Sequence, residues 1–321
     1  MRTCLRKIGI LAAVAVAVIG ITGCWISTDG GGTPDKREPP KPATVVLTMP
    51  GSPRMDDGFL LIHGTSIKGD ETWTPSSEVF VSGRALEIKD FYMSDHEVTR
   101  AEYKKVIGSL PDYMAEAHDK EGNELTGDAA RKNPVNEVRW YDALVYCNKL
   151  SIKKSLTPCY KINGSTNPDD WGAVPTSDDA TWNAATCDFT ADGYRLPTEA
   201  EWEWAARGGE DYIYAGSDNI DEVAWYSSNT SNTGTRDVKT KNANGYGLYD
   251  MSGNVWEWCW DWYGSVTSST PSTGSASGSS RCYRGGCWDF NANYAGVANR
   301  DDNRPGSRSY IFGFRLVRNA N

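Results

Sequence analysis

The chain has 321 residues, with 33 Lys and Arg against 42 Asp and Glu, for a formal charge of -9. That balance excludes nucleic acid as a main partner, because phosphate binding needs a cationic surface. Thirteen Trp, sixteen Tyr and 32 Gly exclude a simple helical bundle and point to an irregular fold in which aromatic cores support long loops.

In chain order, Arg2, Arg6 and Lys7 precede an apolar run at 8–21, too short to span a bilayer stably and suited to the centre of a signal peptide. Ile21-Thr22-Gly23-Cys24 resembles a bacterial lipobox, so residues 1–23 read as a lipoprotein signal peptide and Cys24 as the lipidated N-terminus. Residues 24–43 hold Gly30-Gly31-Gly32, Pro34, Pro39-Pro40 and Pro42 without apolar periodicity, the composition of a flexible tether. One domain is expected over 44–321. Val45-Val46-Leu47, Phe59-Leu60-Leu61-Ile62 and Val79-Phe80-Val81 read as short strands, and Leu86-Glu87-Ile88 leads into another at Phe91-Tyr92-Met93.

Thr99 with Glu102 forms a capping box and predicts a helix ending near Gly108. A second helix is expected from about Trp140 to Leu150. A third starts from the box Thr198 and Glu201 and stops at Gly208-Gly209. Its Trp202 and Trp204 fall on different sides and should anchor different neighbours. Beyond Asp211 only short segments are expected, with the Ser/Thr/Gly-rich stretch 265–280 as a mobile surface loop. The indoles of Trp256-Glu-Trp-Cys-Trp-Asp-Trp262 alternate as in a strand, predicting core on one face and support for later loops on the other.

Three phrases stand in order: Gly193-Tyr-Arg-Leu-Pro-Thr-Glu-Ala-Glu-Trp-Glu-Trp-Ala-Ala-Arg207, Asn244-Gly-Tyr-Gly-Leu-Tyr-Asp-Met-Ser-Gly-Asn-Val-Trp-Glu-Trp258, and Arg284-Gly-Gly-Cys-Trp288 with Gly313-Phe-Arg-Leu-Val317. With Asp95-His-Glu-Val-Thr99 and Asn133-Pro-Val-Asn-Glu-Val-Arg-Trp140, they make the chain resemble the formylglycine-generating-enzyme (sulfatase-modifying factor) domain family. The resemblance implies an α+β, C-type-lectin-like fold with short antiparallel strands, few helices and much irregular loop. Enzymes of that family oxidise a substrate cysteine with oxygen and copper, through two cysteines after the Arg-Gly-Gly phrase. Those positions fall here at Phe290 and Ala295, neither of which supplies a thiolate. The resemblance therefore implies a non-catalytic member with no required cofactor.

Cys282 and Cys287 share the Cys-x4-Cys spacing but flank Arg284-Gly285-Gly286 upstream, where a disulfide or two separate thiols fits better than a copper site. A cysteine-oxidising enzyme using this displaced pair is the alternative function. Cys159 paired with Cys187 would close the loop bearing Trp171 and Trp182, although spacing does not determine connectivity among Cys147, Cys159, Cys187, Cys259, Cys282 and Cys287. In the resemblance, Asp250-Met-Ser-Gly-Asn-Val-Trp-Glu257 matches a calcium loop. Its ligands to a structural Ca2+ would be the carboxylates of Asp250 and Glu257 and the carbonyls of Gly253 and Val255. The other reading is that both carboxylates satisfy backbone donors in a tight turn.

The stretch between Trp288 and Gly313 holds no Lys, Glu, Gln, Met or Trp. Adenine-directed mutation of Asn codons yields a broad residue set that omits those five. The pattern resembles the variable region of diversity-generating-retroelement target proteins, in particular the variable lipoproteins of treponemes. The resemblance implies a variable region at about 287–312. Its ligand-binding positions would be Asp289, Phe290, Asn291, Asn293, Tyr294, Asp301, Asp302, Asn303, Arg304, Gly306, Ser307, Ser309, Tyr310 and Ile311. Ala292, Val297, Ala298, Pro305, Gly313 and Phe314 would be scaffold. Tyr, Asn, Ser, Gly and Arg are residues that paratopes favour. His63, His96 and His118 lie in separate segments without ligand spacing. The expectation is a lipid-anchored protein of the bacterial outer membrane or cell surface, whose variable face binds a protein or other ligand. A purely structural envelope lipoprotein is the third reading.

Overall fold

Alternating apolar residues at the start of the domain make β1 (Phe59–Ile62), which pairs antiparallel with β4 (Phe91–Ser94) in register Phe59 to Ser94. The computed structural model describes residues 58–320. The expected signal peptide, Cys24, the expected tether and the expected strand at Val45-Val46-Leu47 lie outside the described residues. β4 continues to β15 (Val317–Asn319) and β9 (Tyr194–Arg195), giving the order β1-β4-β15-β9. The first and last strands of the domain thus lie in one sheet.

A second four-stranded sheet, in the order β13-β12-β11-β14, comprises β11 (Trp256–Trp262), β12 (Arg281–Arg284), β13 (Arg300–Asn303) and β14 (Phe312–Gly313). Smaller ladders pair β2 (Thr65–Ile67) with β3 (Leu86–Ile88) and β7 (Tyr160–Lys161) with β8 (Thr186–Cys187). A third ladder joins β10 (Thr235–Arg236), β5 (Ala117–His118) and β6 (Glu124–Leu125).

The three longer helices follow their sequence signals. α1 (Arg100–Ile107) has a capping box between Thr99 and Glu102 and ends on left-handed Gly108. α2 (Trp140–Lys153) runs one turn past its expected end at Leu150, because Ser151 is buried. Its hydroxyl donates to the Cys147 carbonyl at 2.7 Å and accepts the Tyr194 amide at 2.8 Å, tying the last turn to β9. The remaining helices are α3 (Ala180–Asn183), α4 (Glu199–Arg207), α5 (Ile220–Val223) and α6 (Ser227–Thr230). α4 is capped by Thr198 and Glu201 and stopped by left-handed Gly208. Its Trp202 is fully buried and donates to Glu257 at 2.6 Å, whereas Trp204 donates to the His63 carbonyl at 2.8 Å. The two indoles anchor different neighbours, as their spacing demands.

Other expectations are corrected. Val79-Phe80-Val81 forms no strand, although Val79 and Phe80 are buried: the Ser77 hydroxyl accepts the amides of Val79 and Phe80, curling the segment into a turn. The stretch 265–280 is loop but is clamped to the domain. Arg84 donates to the carbonyls of Thr270 and Pro271, and Gly274 lies against the Asp261 side chain. The expectation for β11 holds, and the strand is covered on both faces. It runs between β12 and β14, and Trp140 from α2 donates to the Cys259 carbonyl at 2.9 Å, so only Trp260 is half-buried. The abundant tryptophan serves this double-sided burial. The Arg281 guanidinium, for example, lies between the Trp140 and Trp262 rings at 3.8 and 3.4 Å.

All six described cysteines are free thiols. The expected pairing of Cys159 with Cys187 is not made: the register of β7 with β8 sets Tyr160, one residue along, opposite Cys187.

Candidate ligand-binding face and its foundation

Glu199 and Glu203 stand one turn apart on α4, and both carboxylates are buried. Arg284 of β12 donates to Glu199 at 2.9 Å and to Glu203 at 2.7 Å, while Arg300 of β13 makes two 2.7 Å bonds to Glu199. Arg207 adds a 2.8 Å bond to Glu203. Burial opposes ionisation, but Arg284 and Arg300 hold the Glu199 carboxyl below its ordinary range. A third donor of Arg284 reaches the Val297 carbonyl at 2.8 Å, so the network grips the chain between the two expected variable segments. The sequence phrases had offered Glu199, Glu203 and Arg284 only as family markers. The i, i+4 spacing of the glutamates was the signal available for this role.

Backbone anchors complete the foundation. Trp288 donates to the Asn254 carbonyl at 2.8 Å, and the Thr230 hydroxyl donates to the Trp288 carbonyl at 2.7 Å. The Ser227 amide donates to the Phe290 carbonyl at 3.0 Å and the Ser252 hydroxyl to the Ala295 carbonyl at 2.7 Å. Gly286 has φ +77°, and a Cβ there would sit 2.9 Å from the Ala295 Cα, so the Arg-Gly-Gly turn requires glycine at that position.

On this base the two expected segments form one face. Residues 289–294 run through a short 3-10 turn at Ala292–Tyr294, capped by the Asn291 side chain. Residues 300–311 comprise the edge strand β13 and the loop into β14. The Tyr310 hydroxyl donates to Asp289 at 3.2 Å, and its ring lies 5.7 Å from Trp288, joining the segments. Asn291, Asn293, Tyr294, Arg304 and Tyr310 are exposed, while Asp289, Phe290, Asp301, Asp302, Asn303, Ser307 and Ser309 are partly exposed. Phe290 rests on Tyr294 at 5.0 Å and on Trp256 at 6.2 Å, so β11 does support this face.

Two expected contact residues are not presented. Ile311 is buried in the core and its carbonyl accepts the Trp256 amide, which makes it scaffold. Gly306 is buried against another loop, where a Cβ would fall 2.4 Å from the Ser177 carbonyl carbon. Conversely, Thr176, Ser177 and Asp178 are not among the expected contact residues. With Arg139, Arg304, Ser307 and Arg308 they wall a polar cavity of about 480 Å³ beside Gly306.

A model of the sulfatase-modifying factor enzyme 1-like domain matches residues 32–320. The chain belongs to that family. Among its relatives, "Treponema denticola variable protein 1" superposes with a TM-score of 0.71 at 36% identity, over 84% of this chain and 99% of that one. The "Chaperone protein LppX" of Paenibacillus barcinonensis is 35% identical over 268 residues, 77% of this chain and 84% of its own length. A formylglycine-generating enzyme of Streptomyces coelicolor is 40% identical over 160 residues, 43% of this chain and 51% of the enzyme. The C-type-lectin-like α+β architecture expected from the motifs is the architecture found.

Phe290 and Ala295 occupy the positions where the resemblance put the catalytic cysteines. Cys282 and Cys287 do not share a site: they belong to different clusters of the core. Cys282 donates to Glu199 at 3.2 Å, and burial followed by the Glu199 charge pushes its thiol well up. Burial does the same to Cys287. Such thiols are poor nucleophiles and poor copper ligands.

The segment 250–257 folds beside Glu97. Asp250 accepts the Lys239 amide at 2.7 Å through one oxygen, and its other oxygen is buried without a partner. Burial raises its carboxyl to about 6. Glu257 is fully engaged instead, with Arg315 on both oxygens at 2.6 Å and Trp202 on one. The expected carboxylate pair is therefore not open as a pair. Among the described residues, no three His, Cys, Asp or Glu groups converge to hold an ion.

Proposed function

We propose that this chain is a surface-displayed lipoprotein, held by lipid on Cys24, whose lectin-like domain presents a diversified ligand-binding face. The variable side chains are Asp289, Phe290, Asn291, Asn293, Tyr294, Asp301, Asp302, Asn303, Arg304, Ser307, Ser309 and Tyr310. One observation carries the reading. The stretch that lacks Lys, Glu, Gln, Met and Trp folds into two segments that meet through Tyr310 and Asp289 on one face. The 36% identity to a protein titled as variable supports it. On this reading the chain is not an oxidase, which accords with Phe290 and Ala295 and with the separation of Cys282 from Cys287. Its partner is a protein or other ligand outside the cell.

The test is genomic. A near-duplicate of the 3' coding end, rich in Asn codons at these positions and close to a reverse-transcriptase gene, is the expected finding. Absence of both, with an identical tail in every isolate, would favour the purely structural envelope protein.

We further propose a structural Ca2+ held by Asp250 with the carbonyls of Gly253 and Val255. The unpartnered Asp250 oxygen supports it, and so does the excess of buried carboxylates, Glu97, Asp250 and Glu257, over the single guanidinium of Arg315. Glu257 then serves to balance Arg315 rather than to bind the ion. Calcium is expected to raise the melting temperature of chelator-treated protein. No shift in the native protein, or the same shift in Asp250→Ala, would remove the ion from the account.

A further inference from the structure

A cavity of about 400 Å³ opens between α1, α2 and the sheet strands β1, β4 and β9. None of residues 289–311 lines it. Its floor is apolar, built from buried Phe59, Val98, Tyr146 and Leu316. At its mouth stand three exposed lysines, Lys105 in the last turn of α1 and Lys153 and Lys154 at the end of α2. Lys153 donates one ammonium hydrogen to the Lys105 carbonyl at 2.9 Å, fixing the two helix ends side by side. An ammonium has three donors, so two remain for another acceptor.

Among the described residues the only carboxylate lining the cavity is Glu102, and it is already engaged. It accepts the Thr99 amide at 2.8 Å and the Thr99 hydroxyl at 2.7 Å, and it lies 3.4 Å from the His96 ring. Burial alone would lower the His96 pKa, but bonds to Asp95 and Glu102 raise it to about 9, so near neutral pH the imidazolium offsets the Glu102 charge. An enclosed apolar body with a few charged groups at one end is the usual design of a small-molecule site. Its volume lies within the range of such sites, roughly 300–1,000 Å³.

We propose that this cavity binds a small amphipathic carboxylate of medium chain length, its alkyl body on Phe59, Val98, Tyr146 and Leu316 and its anionic head at Lys105 and Lys153. The site belongs to the scaffold, so it is present whatever residues stand on the variable face. It does not depend on that face being diversified.

Calorimetric titration of the intact protein with decanoate tests it, with decanol, decyltrimethylammonium and acetate as comparators. Saturable one-to-one binding of decanoate is expected, at least tenfold tighter than decanol, with none for the cationic amphiphile or for acetate. Lys105→Glu with Lys153→Glu should weaken decanoate at least tenfold. Both side chains are exposed, so the melting temperature is the check that this variant stays folded. Val106→Trp, which fills the cavity wall, should abolish binding. Equal affinity for decanol and decanoate would overturn the proposal. So would unchanged affinity in the charge-reversed protein, or no saturable binding at all.

Discussion

Two regions that meet at β13 use hydrogen bonds in opposite ways. In the foundation, bonds cross the chain: Arg284 reaches Glu199 and Glu203, and Arg315 reaches Glu257. On the face most side-chain bonds are local. Asn291 caps Asn293, Asp301 takes the Asp302 amide, Asn303 takes the Arg304 amide, and Tyr310 meets Asp289 of the neighbouring segment. Losing a buried long-range partner strands a charge, whereas losing a local, solvent-facing one lets water take its place. A surface that must change its side chains is best built from the second kind.

The sharpest break of this contrast is Arg284→Met. It leaves Glu199 and Glu203 buried without their shared partner and should cost about 3–5 kcal/mol. The melting temperature should fall by roughly 10 °C or more.

The next effect depends on pH. The His96 pKa is raised from 6.5 unfolded to about 9 folded by Asp95 and Glu102, despite burial. Its contribution is therefore complete below 6.5 and is lost as pH rises through 9. At about 1.4 kcal/mol per pKa unit it reaches roughly 3 kcal/mol. The stability difference between the native protein and His96→Gln, followed by denaturant titration, should shrink across that window.

Gly306→Asn marks the limit of the face. Its Cβ would meet the Ser177 backbone, and the loop must shift at a cost of about 1–3 kcal/mol, visible as a lower denaturation midpoint. Asn293→Ser, on exposed ground, should stay within about 0.5 kcal/mol.

Much of this division was legible in the sequence where local chemistry decides structure. The boxes at Thr99 and Thr198, the glycine stops and the residue set after Trp288 each declare their element. Ile311 and Gly306 were misread because codon chemistry says which residues mutation can reach, not which side chains the fold buries. Val79 to Val81 misled because Ser77 turns an apolar run that would otherwise extend. Nothing in the sequence links the wall at Thr176 to Asp178 with the face, since it adjoins the face only through the tertiary placement of a distant loop.

The central claim is that stability resides in the foundation and variation in the face. It is tested most directly by replacing Asn291, Asn293, Tyr294, Asp302, Asn303, Ser307 and Tyr310 together with other residues reachable from Asn codons, and recording the thermal unfolding midpoint. The account predicts a midpoint within a few degrees of the native value and an unchanged, cooperative transition. Loss of cooperative unfolding, or a fall as large as that of Arg284→Met, would contradict it.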